Sequence, residues 1–194
     1  QFWAVVRTLL ENCRDVKEAL SMLKDMPVAY NLNLIVLDRE GRCALVETLD
    51  GRMAVKTIDS DSGEQALYAT NHPVLAELIP YEPKAFVHSI RRYDNITAFL
   101  ERHKKGITAG QLKDFFLTPY PEGLSCSYYS QFFGTTKTMV LDPVRGSLSL
   151  CWGGRPENGW RDFNFSDPFP QETAAIEIHN QTADPSIFAY RSLV

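Results

Sequence analysis

Residues 31–58 read NLNLIVLDREGRCALVETLDGRMAVKTI, three apolar runs separated by two turn signals. Leu32, Leu34 and Val36 alternate with Asn33, Ile35 and Leu37, a period of two, and both sets are largely apolar. That pattern predicts a strand covered on both faces. Asp38-Arg39-Glu40-Gly41 has the composition of a turn, with glycine for the left-handed position. Cys43–Leu49 is the returning strand, Asp50-Gly51 is a strong hairpin signal, and residues 53–58 form a third strand. Three strands joined by tight turns make an antiparallel meander.

Upstream, Trp3, Val6, Leu9, Leu10 and Cys13 recur at three- and four-residue spacing, the apolar face of a helix. Asp15 is placed to cap a second helix, with Glu18 in capping-box position and Val16, Ala19, Leu20 and Leu23 as its face; Pro27 ends it. Downstream, a polar loop over residues 59–64 leads to a short strand expected over 66–70, and Pro73, Pro80 and Pro83 make the next stretch irregular. Residues 89–105 read as a helix with Ile90, Tyr93, Ile96 or Thr97, and Leu100 on one face and Gly106 as its cap. A shorter helix follows at 109–117, then a hairpin of residues 135–141 and 147–151 across Asp142-Pro143-Val144-Arg145-Gly146, and one more strand at 174–178. Helices and strands come in clusters, so the class is α+β, with helical layers on antiparallel sheets. No repeat and no long linker divides the chain, and residues 1–194 read as a single domain.

The chain has 194 residues, with 20 Lys and Arg against 24 Asp and Glu. No basic surplus supports sequence-wide nucleic-acid binding, and no apolar run is long enough to span a bilayer. Cytoplasmic localisation is the default, because nothing in these residues directs export. Cys13, Cys43, Cys126 and Cys151 form no C-x-x-C pair and read as reduced, mostly buried thiols. No phosphate loop, dinucleotide fingerprint, zinc-helix or nucleophile-elbow motif occurs, and no cofactor or metal is expected. The sequons at Asn95, Asn164 and Asn180 read as coincidence, Asn95 falling inside a helix.

Two short runs can carry chemistry. In Tyr68-Ala69-Thr70-Asn71-His72-Pro73 the Asn71 amide can serve as an oxyanion donor at the mouth of a strand. The plainer reading is an Asx-turn, and on these residues alone it is preferred. In Ser89-Ile90-Arg91-Arg92-Tyr93 a guanidinium at a helix start can hold a carboxylate or flank a nucleophile, against the plainer reading of two solvated arginines.

Several pieces, in order, resemble the group of N-terminal-nucleophile (Ntn) hydrolases that includes the autoproteolytic penicillin acyl-CoA acyltransferases and the choloylglycine hydrolases. These are Leu9 to Cys13 followed by Val16-Lys17-Glu18-Ala19; Asn33, Asp38 and Gly41 with Val46-Glu47; Thr70-Asn71-His72; Ser89-x-x-Arg92-Tyr93; and Phe133-Gly134-Thr135 with Thr138, Asp142-Pro143 and Gly146. The similarity spans residues 3–156. It implies part of an αββα sandwich and cleavage or transfer at a linear amide bond, penicillin-acylase-like, on a small acyl-amide substrate. It implies an N-terminal Cys nucleophile, exposed by autoproteolysis, with its own α-amine as base. It makes Asn71 the oxyanion donor and Arg92 a residue beside the nucleophile.

The family's nucleophile lies upstream of the helix pair matched here, and neither Cys13 nor Cys126 can be an N-terminal residue. The expectation is therefore the C-terminal portion of a longer Ntn-hydrolase chain, with the Cys on an upstream segment or chain. An apolar face left open would call for that partner segment or a homo-oligomer. Two other readings stand beside it. One is a catalytically inactive binding or assembly domain, with Trp152, Trp160 and Tyr128-Tyr129 as binding aromatics, although core packing is their plainer role. The other is an unrelated hydrolase using Cys126 or Ser89 with a His.

Overall fold

In the computed structural model, which describes residues 2–59, 63–168, 173 and 175–194, the meander forms as its turns require. β1 (Leu32–Leu37), β2 (Cys43–Leu49) and β3 (Arg52–Ile58) make a three-stranded antiparallel sheet in the order β1-β2-β3. Asp50 and Gly51 both take positive φ, +48° and +74°, which gives the two-residue turn the twist that matches its strands. Gly41, at +81°, turns β1 into β2.

α1 (Phe2–Asn12) and α2 (Val16–Asp25) cover one face of this sheet. The Asp15 side chain accepts the Glu18 N–H and so caps α2. The Glu18 carboxylate, however, takes the N–H of Arg14 rather than that of Asp15, one residue off a standard capping box. Leu9, Val16, Ala19 and Leu23 pack on Ala44 and Val46 of β2, with Leu34 and Val36 of β1 at the margin.

Two expectations for this region need correction. Of the α1 face, Leu9 is buried, but Trp3, Val6 and Leu10 are exposed, Leu10 at 79%. The helix turns Val5 and Leu9 inward instead, and spacing alone does not separate these neighbouring faces. β1 is not covered on both sides either. It is an edge strand, and on its second face Ile35 and Leu37 are each 49% exposed. β2, between two strands, is the one buried along its whole length.

Residues 66–70 form no strand, having no ladder among the described residues. The proline-rich stretch holds a 3-10 turn at Ile79–Tyr81 and then β4 (Lys84–Phe86), which pairs with β10 (Tyr190–Ser192). The chain divides into two compact units: residues 1–89 with 190–194, and residues 90–189. The division falls within α3 (Val87–Arg102), which stops short of the expected Lys105.

In the second unit, Phe99 of α3 stacks on Phe115 of α4 (Ala109–Leu117) with centroids 4.2 Å apart. Phe99, not the expected Leu100, is the buried residue of that turn. β5 (Ser127–Tyr128) and β6 (Phe133–Gly134) form a small antiparallel pair. The expected hairpin is β7 (Lys137–Asp142) with β8 (Ser147–Trp152), and β9 (Trp160–Asn164) extends it to β7-β8-β9. Cys126, Tyr128, Ala183 and Ile187 make a separate core. Of the strand expected at 174–178, Ala174 lies outside the described residues and 175–178 carry no strand. All four cysteines are free, and Cys43, Cys126 and Cys151 are buried. The architecture is α+β, helices with small antiparallel sheets. No described helix is long and apolar enough to cross a membrane.

Candidate active site

Asn33 and Glu47 stand opposite one another in the β1–β2 register, on the sheet face turned away from α1 and α2. Each is a polar residue in an apolar strand, and both serve one loop. The Asn33 amide donates to the carbonyls of Thr70, at 2.9 Å, and His72, at 2.8 Å. The Glu47 carboxylate accepts the N–H of Val74, at 2.8 Å, and of Leu75, at 3.0 Å. Glu47 is 1% exposed. Burial pushes its carboxyl pKa up, while the two N–H donors favour the ionised form and pull it back. Past the loop, Leu75 and Leu78 pack on Leu49 and Ala54, so the far end is anchored by apolar contact.

The residue held between these clamps is Asn71. It is exposed, and it lines a cavity of about 260 Å³ with Asn33, Glu47, Thr70, His72 and Glu82. Its backbone N–H donates to the hydroxyl of Ser89 at 2.8 Å. Ser89 is 2% exposed and lies 2.8 Å from Nδ1 of His72, itself buried. The four histidines look scattered in sequence, yet one of them closes this array. Ser89 touches His72, but so deep a hydroxyl is out of reach of a substrate, which argues against Ser89 as a nucleophile.

Arg92 lies in the second unit. It is half-buried, unlike its neighbour Arg91, which is exposed and donates to the carbonyl of Pro121. The reading of two solvated arginines therefore holds for Arg91 only. Burial lowers the Arg92 pKa, and nearby Cys126 and Tyr120 oppose that. Cys126 is 7% exposed, and burial pushes its thiol up to about 11, against the pull of Arg92. An activated cysteine shows the reverse, a lowered pKa and an open approach. Tyr129 donates to the carbonyls of Thr135 and Gly153, Tyr128 is buried, and Lys113 sits over the Trp160 ring. The Asn95 amide is taken up by the carbonyls of Pro121 and Gly123. Among the described residues no His, Cys, Asp and Glu cluster is arranged to hold a metal.

Asn71 and Arg92 thus each have built surroundings in their own unit. Asn33, Glu47 and Ser89 hold the Asn71 loop; the resemblance quotes all three among its matching residues but gives them no role. The available signal was a polar residue at the centre of an apolar strand, as in Leu32-Asn33-Leu34 and Val46-Glu47-Thr48. A family model described as AAT, acyl-coenzyme A:6-aminopenicillanic acid acyl-transferase, matches residues 1–157. No curated protein and no solved structure matches the chain significantly.

Proposed function

The chain belongs to the acyl-coenzyme A:6-aminopenicillanic acid acyl-transferase family, and from that premise we propose that it works in an Ntn-type acyltransferase or hydrolase acting on linear amide bonds. The nucleophile in this reading is an N-terminal Cys, freed by autoproteolysis, on a segment outside the 194 residues. Of the four cysteines present, Cys43, Cys126 and Cys151 are buried, and burial raises the thiol pKa of all four, the reverse of an activated nucleophile.

The thiolate attacks the acyl carbonyl, the carbonyl oxygen gains negative charge, and the Asn71 amide donates to it. Arg92 stabilises charge beside the thiolate. Collapse expels the amine, which takes the proton that the nucleophile's α-amine drew from the thiol, and leaves an acyl-enzyme, which water or a second amine then takes. The observation that carries the proposal is the pinned backbone around Asn71. A donor aimed in advance at a developing oxyanion costs no reorganisation during reaction.

The test is turnover of the full-length enzyme with acyl-coenzyme A and 6-aminopenicillanic acid, read as released thiol and N-acylated product, and with N-acyl amides, read as free amine. Asn71→Ala is expected to lower kcat about 100-fold or more while leaving the fold intact by circular dichroism. Unchanged turnover would remove Asn71 from the site. Arg92→Lys is expected to lower kcat/KM as well, because an ammonium does not reproduce the planar fork. An unaltered kcat/KM would remove Arg92.

A further inference from the structure

The hydroxyl array beneath Asn71 allows its protons to be assigned. Thr70 Oγ1 donates to the Ser89 carbonyl at 3.0 Å, which uses the one Thr70 proton. Three contacts remain: Ser89 Oγ to Thr70 Oγ1 at 3.1 Å, Ser89 Oγ to His72 Nδ1 at 2.8 Å, and Thr70 Oγ1 to His72 Nδ1 at 3.1 Å. If Ser89 gave its proton to His72, the two hydroxyl oxygens would face each other with no proton between them. If Nδ1 carries the proton instead, His72 donates to Ser89, Ser89 donates to Thr70, and Thr70 donates to the Ser89 carbonyl. The Ser89 oxygen then accepts two N–H groups, from His72 and from the Asn71 backbone, within its two lone pairs. The second arrangement puts a proton in three of these four contacts, all but that between Thr70 Oγ1 and His72 Nδ1, whereas the first fills only two.

We infer that His72, protonated on Nδ1, and Ser89 are positioning residues that fix Asn71 as the oxyanion donor. This rests on the proposed role of Asn71. The array acts on the backbone and not on the reacting atoms. Ser89 holds the Asn71 N–H, while Asn33 holds the carbonyls before and after it, at Thr70 and His72. The soft φ and ψ of Asn71 are thereby bounded on both sides, at the wall of the cavity that it lines. An oxyanion donor must lie about 2.7–3.1 Å from the oxygen it stabilises, so a small backbone drift is expressed in kcat rather than in binding.

The experiment has a spectroscopic arm and a kinetic arm. Imidazole nitrogen NMR of the histidine-labelled 194-residue chain is expected to show His72 with its proton on Nδ1; a neutral ring with the proton on Nε2 would overturn the assignment. In the full-length enzyme, Ser89→Ala and His72→Leu are each expected to lower kcat about tenfold or more with KM nearly constant. His72→Asn, whose amide can place an N–H where Nδ1 stood, is expected to recover most of that loss, and Ser89→Ala is expected to add nothing in an Asn71→Ala background. Loss of turnover in Asn71→Ala with none in Ser89→Ala or His72→Leu would overturn the positioning role alone. Full turnover in Asn71→Ala would overturn the oxyanion reading and the positioning role with it.

Discussion

Asp38 and Glu47 are both buried carboxylates in the first unit, and their pKa values move in opposite directions. For Asp38 burial is the largest single influence and pushes upward, but the Arg42 guanidinium at 2.7 Å and the N–H groups of Val16, Glu40 and Arg42 outweigh it together and hold the carboxyl low. A lowered folded-state pKa contributes stability that is present above the unfolded value, about 3.9 for Asp, and is lost as pH falls through the folded value. Asp38→Asn is therefore expected to cost about 1–3 kcal/mol at neutral pH, and the gap to wild type should narrow below about pH 4. Urea midpoints measured from pH 7 to pH 3 check this, and a gap that stays constant would mean the carboxylate charge is not what holds the turn. Glu47 has the opposite sign. Its raised pKa contributes stability present below the unfolded glutamate value and lost as pH rises through the folded one. At this scale the sequence was only partly legible. It marks Asn71 and Arg92 as polar groups at a loop and a helix start, but the partners that distinguish them lie far off in the chain. Asn33 and Ser89 stand 38 and 18 residues from Asn71. Only folding reveals that Arg92 is half-buried and Arg91 exposed.

Elements whose signals are local were legible, and those that depend on a distant partner were not. The capped α2, the α4 helix with its Thr108–Gln111 capping box, and the meander with its Asp50-Gly51 turn all carry their instructions within a few residues. β4 and β10 are three residues each and exist because they pair with one another across about a hundred residues of chain, so neither has a pattern to read. Residues 66–70 show the converse, a strand-like composition with no neighbouring ladder. The glycines give a sharp test of this local reading. Gly51 has open space around it and φ of +74°, so a methyl group there meets no atom and costs only backbone energy. Gly110 sits inside α4, with the Thr108 hydroxyl 3.9 Å from an added Cβ. Gly51→Ala is expected to destabilise by about 1–2 kcal/mol. Gly110→Ala is expected to stabilise by about 0.5–1 kcal/mol. Thermal melts of the two variants should move in opposite directions; a shift of the same sign in both would mean that packing rather than conformation governs the turn.

At the scale of the whole molecule, the division into two units after Ser89 has no compositional mark, because it falls inside α3, where the helical pattern continues unbroken. What each unit leaves open is more telling. In the first, β1 is an edge strand whose Ile35 and Leu37 are half exposed. In the second, β7 is also an edge strand, with Met139 and Leu141 exposed on one face. An edge strand with apolar side chains on an open face offers both ladder hydrogen bonds and area to another chain, and a protein that folds alone usually blunts such an edge with charge. The isolated 194-residue chain is therefore expected to self-associate as its concentration rises. Ile35→Lys with Leu37→Lys should suppress this, because two ammonium groups on alternate positions of one strand repel a second copy of themselves. The cost to folding should be modest, since both side chains are already half in water. Sedimentation velocity over a concentration series, with urea midpoints alongside, separates the two effects. A fall in association at nearly constant midpoint places the contact on β1, whereas unchanged association would move it away from that edge, with β7 the next strand to charge.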